Sequence, residues 1–148
     1  LLCAIDRGHY DIAEILIDDP RCKISDRLNK TAMVQSIILI RSIKRGFHRF
    51  TKRLLECDMP DYSVDAYGNS ALMWAVMCGQ YNIAKRLINI RSNIDHQNNT
   101  GHNALMCAIK SGRYDMVKLL LDSGCRTDIM TSSGMTALMC AAIKGKHI

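Results

Sequence analysis

Aromatic residues make up only 5% of the chain, too few to supply the run of stacking platforms on which single-stranded nucleic acids are held. No apolar run approaches the ~20 residues that cross a bilayer, and the first residues lack the basic start and apolar stretch of a signal peptide. No two of the seven cysteines stand in CxxC spacing, and their number is odd. That argues against a secreted disulfide framework and for a reducing compartment. Gly-rich phosphate loops, nucleophile motifs and paired carboxylates set apart from the general pattern are all missing, so spacing gives no pointer to catalysis. The expectation is an intracellular, cytoplasmic chain that is not an enzyme and whose fold needs no cofactor, metal or disulfide.

What is present is a balanced composition and a strong period. Hydrophobic residues account for 48% and charged residues for 23% of 148 residues, a globular rather than a disordered mixture. Glycines 46, 79, 112 and 145 are spaced by 33 residues, as are Ala71-Leu72-Met73, Ala104-Leu105-Met106 and Ala137-Leu138-Met139. Leu54-Leu55, Leu87-Ile88 and Leu120-Leu121 follow the same interval, with Phe50, Ile83 and Met116 and with Gly68, Gly101 and Gly134.

Within one unit, Ser70 reads as the N-cap of a short helix over Ala71 to Met77, which Gly79 can end in a left-handed conformation. Ile83, Ala84, Leu87 and Ile88 then gather on one stripe of a second helix, with Lys85 and Arg86 directed outward. A polar connection over Asn89 to Asn99 leads to a turn at Gly101. The spacing predicts positive φ at Gly79 and Gly112.

This unit resembles the ankyrin repeat, whose pattern is matched by Asp65, Gly68, Ser70, Leu72, Ala75 and Gly79, then by Gly101, Leu105, Ala108 and Gly112, then by Gly134, Thr136, Leu138 and Ala141. The first residues join at Ala4, Gly8, His9, Ile12, Leu16 and Ile17. The resemblance implies an all-α solenoid of stacked helix-turn-helix units joined by hairpin-like loops. Where the family usually has Pro followed by Leu-His, this chain has Ala followed by Leu-Met, so the customary bond between a Thr hydroxyl and that His is absent. Alanine and methionine suit a helix interior, and the fold expectation survives.

The single array over 1–148 divides into a partial repeat at 1–25, repeats at 26–64, 65–97 and 98–130, and a partial repeat at 131–148. Gly8 to Gly46 spans 38 residues rather than 33. Six extra residues fall after Met33, and the loop at 18–20 is one residue short. Because Val34 to Lys44 contains no Gly or Pro and offers Ile37, Leu39, Ile40 and Ile43 for burial, a lengthened first helix is expected; a bulged loop near Arg41 and Ser42 is the alternative. The uncapped ends suggest a segment of a longer array.

Cys3, Cys107 and Cys140 share one column with Trp74, expected to pack against the neighbouring repeat. Cys22, Cys57 and Cys125 lie near loops without zinc-ligand spacing. His96 and His102 read as polar residues of a hairpin tip, and Tyr10, Tyr81 and Tyr114 as an interior column with each ring packed on the next repeat.

The resemblance implies binding of another protein, with no small-molecule substrate. On the family's pattern the contact positions are Ala66, Tyr67, Asn69, Met77 and Cys78; Asn99, Thr100, His102, Lys110 and Ser111; and Ser132, Ser133, Met135 and Lys144. The formal charge of +6 suggests that the partner presents an acidic surface. Asp6-Arg7, Lys44-Arg45, Lys110-Ser111 and Ile143-Lys144 place a cation at the end of four first helices, either as a basic line along the groove or as helix caps. Nucleic acid and anionic membranes rank below a protein partner. A targeting or regulatory arm of a larger enzyme, such as a protein kinase, is the alternative function.

Overall fold

Stacking follows from the period, because each helix pair has an apolar stripe that only the next pair can cover. The computed structural model describes residues 4, 7–9, 12–13, 15–16, 32–56, 64–90 and 92–145, with 32–36 described by backbone alone. Cys3, Asp6, Tyr10, Ile17, Cys22, Cys57 and the short loop at 18–20 lie outside the described residues. Among the described residues seven helices have defined bounds: α1 (Ala32–Arg45), α2 (His48–Glu56), α3 (Ala71–Met77), α4 (Tyr81–Asn89), α5 (Ala104–Lys110), α6 (Tyr114–Asp122) and α7 (Ala137–Gly145). No strand occurs among the described residues beyond an isolated bridge between Val64 and Ser70. First helices α1, α3, α5 and α7 pack in succession as one layer, and α2, α4 and α6 form the other.

Local chemistry sets the ends. Ser70 Oγ accepts from the Met73 N–H at 3.2 Å, Asn103 Oδ1 from Met106 N–H at 3.0 Å and Thr136 Oγ1 from Met139 N–H at 3.4 Å, satisfying donors the helix leaves free. At the other end Gly79 has φ +72° and Gly112 +66°, as expected. The Gly79 N–H donates to Val76 O and the Gln80 N–H to Ala75 O, the paired bonds of a Schellman stop. The same pair recurs from Gly46 and Phe47, and from Gly112 and Arg113. Gly145 instead remains inside α7.

Helix α1 has 14 residues where α3 and α5 have 7, making it about 10 Å longer. The insertion is therefore continuous helix through Arg41 and Ser42, not a bulge. Counting back from the stop glycine, Ile38-Leu39-Ile40 fall on Ala71-Leu72-Met73, and all six are buried. The surplus lies at the N-terminal end. Ile37, expected inside, is exposed, because this phase gives its place to Ile38. Ser42 occupies the buried column of Ala75 and Ala108; its hydroxyl donates to Leu39 O at 2.8 Å and lies 2.9 Å from the Thr51 hydroxyl, which removes the cost of burying it.

The core runs unbroken along the interface between layers. Phe50, Leu54, Met116 and Leu120 enter from the second helices, and Leu72, Met73 and Met106 from the first. Cys107 and Cys140 are buried in it as expected. Burial pushes the Cys107 and Cys125 thiols up to about 11, so both stay protonated near neutrality and are poor nucleophiles.

The tyrosine column is a correction. Tyr81 is 39% and Tyr114 74% exposed. Each opens its second helix, and the position two residues later, Ile83 or Met116, is the first to face the core. The tyrosine therefore sits outside the stripe.

Candidate interaction surface

Each hairpin tip is built on one polar residue. Asp65 Oδ1 accepts from the Tyr67 and Asn69 N–H groups, both at 2.9 Å. Asn98 Oδ1 does the same for Thr100 and His102 at 3.0 Å, and Thr131 Oγ1 accepts from Met135 N–H at 3.1 Å. These side-chain turns preorganise the loops.

Consecutive tips are also bonded to one another. The Asn99 N–H donates to Tyr67 O at 3.1 Å and its side-chain amide to Ala66 O at 3.2 Å. Ser132 N–H donates to Thr100 O at 3.1 Å. His96 Nε2 lies 2.7 Å from Gly68 O, and the Gln97 amide donates to Met130 O at 2.9 Å. His96 thus ties two hairpins together instead of being loose at a tip.

The expected contact residues divide accordingly. Ala66, Tyr67, Asn99, Thr100, Ser132 and Ser133 lie exposed along one row of tips, with Tyr67 72% exposed. Lys110, Ser111 and Lys144 are exposed at or near the ends of first helices, while Met77, Cys78, His102 and Met135 are half-buried. Asn69 is corrected: it is buried, with its amide donating to Asp65 Oδ2 and its carbonyl oxygen accepting from Asn98 Nδ2 at 2.8 Å. It holds two hairpins in register.

The lysines are anchored rather than free-standing. Lys44 Nζ lies 3.8 Å from the Trp74 ring centroid and 4.0 Å from Asp65 Oδ2. Lys144 Nζ donates to the Lys110 carbonyl at 3.1 Å, so it caps the neighbouring first helix, where cations are favoured. Lys110 Nζ lies 3.2 Å from His102 Nε2. Since the Thr100 hydroxyl donates to Asn98 Oδ1, His102 Nδ1 must be the donor to Thr100 and Nε2 the acceptor from Lys110. That is a neutral imidazole. Burial and the Lys110 charge both push the His102 value below 6.5.

Trp74 was expected only to pack, but its indole N–H also donates to Asp65 Oδ2 at 2.8 Å. Burial pushes the Asp65 carboxyl up, yet the hydrogen bonds from Asn69, Trp74 and Tyr67 outweigh it and hold the group below 3.8. A carboxylate depressed in the folded state stabilises above its unfolded value, and that contribution is lost as pH falls through the folded one. Asp65→Asn should therefore be less stable than the wild type near pH ~7, with the gap narrowing below the carboxylate range towards pH ~3. Denaturant unfolding followed through Trp74, the one tryptophan in the sequence, measures it; a gap independent of pH would mean the carboxylate charge is not what holds this turn.

Repeated helix pairs, glycine stops and laterally bonded hairpin tips define one kind of array. The family model for ankyrin repeats in three copies matches residues 1–98 and 79–148. The chain belongs to the ankyrin-repeat family. Ankyrin repeats are generally non-catalytic protein-protein interaction modules. No curated protein matches the chain. Among the described residues no group of three or more His, Cys, Asp or Glu could hold a metal ion, and no helix is long and apolar enough to cross a membrane.

Sequence reasoning missed a second feature of this ankyrin stack, a cleft between α2 and α4 lined by Arg49, Lys52, Lys85 and Arg86. The signal was available: Asn82, Lys85, Arg86 and Asn89 stand at i, i+3, i+4 and i+7, one face of a helix.

Proposed function

We propose that this array, with repeats at 65–97 and 98–130 as its centre, binds another protein bearing an acidic surface. The contact would run along the hairpin tips and the ends of the first helices, through Tyr67, Thr100, Ser132, Ser133, Lys110 and Lys144. The observation that carries this reading is the bonding of one tip to the next, Asn99 to Tyr67 and Ser132 to Thr100. A row fixed in this way loses little conformational freedom on binding. Tyr67 supports it as a large exposed ring on a fixed turn, the kind of side chain enriched at binding hot spots. Lys44, Lys110 and Lys144 support the acidic character of the partner, since an anchored cation can still offer its field to a neighbour.

The test compares partners co-purified with the wild type against those of Tyr67→Ala and of the double change Lys110→Glu with Lys144→Glu. Lys118→Ala, exposed on α6 in the other helix layer, is the control. A partner lost by about tenfold in affinity with the first two proteins and retained with the third is expected. Its affinity should also fall with added salt in the wild type and less steeply in the Glu variant. Partners retained by all the variants would overturn the placement.

A further inference from the structure

The cleft between α2 and α4 lies on the second-helix layer, away from the hairpin row, and has a volume of about 520 Å³. That lies within the usual range for small-ligand sites. Its walls are two facing stripes of nitrogen donors. Arg49 and Lys52 come from α2, and Asn82, Lys85, Arg86 and Asn89 from α4. Lys52 and Lys85 have no ion-pair partner among the described residues. Glu56 is shared, with Arg53 at 3.5 Å and Arg86 at 3.6 Å, so one carboxylate faces two guanidinium groups. The Nε–H of Arg86 is buried without a hydrogen-bond acceptor among the described residues. Four cationic side chains thus line one cleft, and an anion bound there would lie in their combined field.

The positive region is also bounded. The positions matching Arg49, Lys52 and Glu56 in α6, the next second helix, are Asp115, Lys118 and Asp122. A long polyanion such as RNA would need a continued basic track and aromatic stacking, and α6 supplies acids instead. We infer that the α2–α4 cleft is a binding site for a small anion carrying several phosphate groups, clustered as on a polyphosphorylated ring. Lys and Arg would hold the phosphates by charge-assisted hydrogen bonds, and the amides of Asn82 and Asn89 would donate beside them. Such a ligand would occupy the opposite layer from the proposed protein contact, leaving both surfaces usable at once.

The test is calorimetric titration of the whole chain with inositol hexakisphosphate at physiological ionic strength. Three proteins are compared: wild type, the double change Lys52→Ala with Lys85→Ala, and Lys118→Ala as the matched position on α6. Saturable one-site binding to the wild type is expected, weakened about tenfold or more in the double variant and unchanged in Lys118→Ala. Circular dichroism confirms that the exposed changes leave the fold intact. A second arm measures co-sedimentation with phosphatidylcholine vesicles containing or lacking phosphatidylinositol 4,5-bisphosphate. Binding that needs the phosphorylated lipid and fails in the double variant assigns the site to a membrane headgroup, whereas binding of the free phosphate alone assigns it to a soluble ligand. No saturable binding in either arm, or equal losses in the two variants, would overturn the assignment.

Discussion

Gly101→Ala should cost about 3 kcal/mol or more, whereas the chemically identical change Gly112→Ala should cost about 1 to 2 kcal/mol. Both glycines have positive φ, +77° and +66°, so alanine pays a similar backbone penalty at each. The difference lies in what a Cβ would meet. At Gly112 nothing stands within 4 Å, but at Gly101 the atom would lie 2.6 Å from the Ser132 N and 2.8 Å from the Thr131 Cα. Those are backbone atoms of the next hairpin, and they cannot rotate away. The hairpins would have to part, breaking the Ser132 to Thr100 bond that aligns the proposed contact row. Equilibrium unfolding in urea gives both values. Equal losses would mean that the tips are not in van der Waals contact across repeats.

That comparison shows why some of this molecule is legible in its sequence and some is not. The period is legible because every repeat buries the same stripe against a copy of itself, which forces apolar residues and stop glycines into columns. The lengthened α1 is legible for a similar reason: no Gly or Pro interrupts it, and an uninterrupted helical pattern has no local cause to break. Contacts between successive hairpins are another matter. The hydrogen bonds of Asn69 with Asn98, of His96 with Gly68 and of Gln97 with Met130 join residues about one period apart or nearly so. Their existence depends on the spacing of the stack rather than on any local rule. Asn69 looked like an exposed loop residue because its type suits one; only the neighbouring hairpin makes it buried. Likewise the column of tyrosines carried the right periodicity and the wrong side, since a repeated position can be repeated on the outside.

The candidate site divides along the same line. Tyr67, Thr100, Ser132 and Ser133 could be assigned to the tips from the family's pattern, because the columns of the repeat fix their places. The anchoring of Lys44 on Trp74 and of Lys144 on the Lys110 carbonyl could not, because both bonds cross between repeats. The α2–α4 cleft needed two helices to be seen side by side. Each contributes an ordinary solvated face by itself, and the concentration of charge arises only when they meet.

The core obeys this reasoning too, and the Ala-Leu-Met motif supplies a matched pair. Met106→Ala should destabilise by about 2 to 5 kcal/mol, while Met139→Ala should fall within about 0.5 kcal/mol of the wild type. The two methionines hold the same column, on helices capped in the same manner at Asn103 and Thr136. Met106 is fully buried on α5, which lies between α3 and α7; truncation there removes the side-chain carbons beyond Cβ and leaves a space its neighbours on both sides can only partly fill. Met139 is 52% exposed on α7, so truncation mostly exchanges one solvated surface for a smaller one. Helix propensity does not separate the sites, because methionine and alanine are both good helix formers. Urea unfolding of the two variants side by side measures the difference. Comparable losses would show that Met139 is packed as deeply as Met106, and the exposed face of α7 would have to be redrawn.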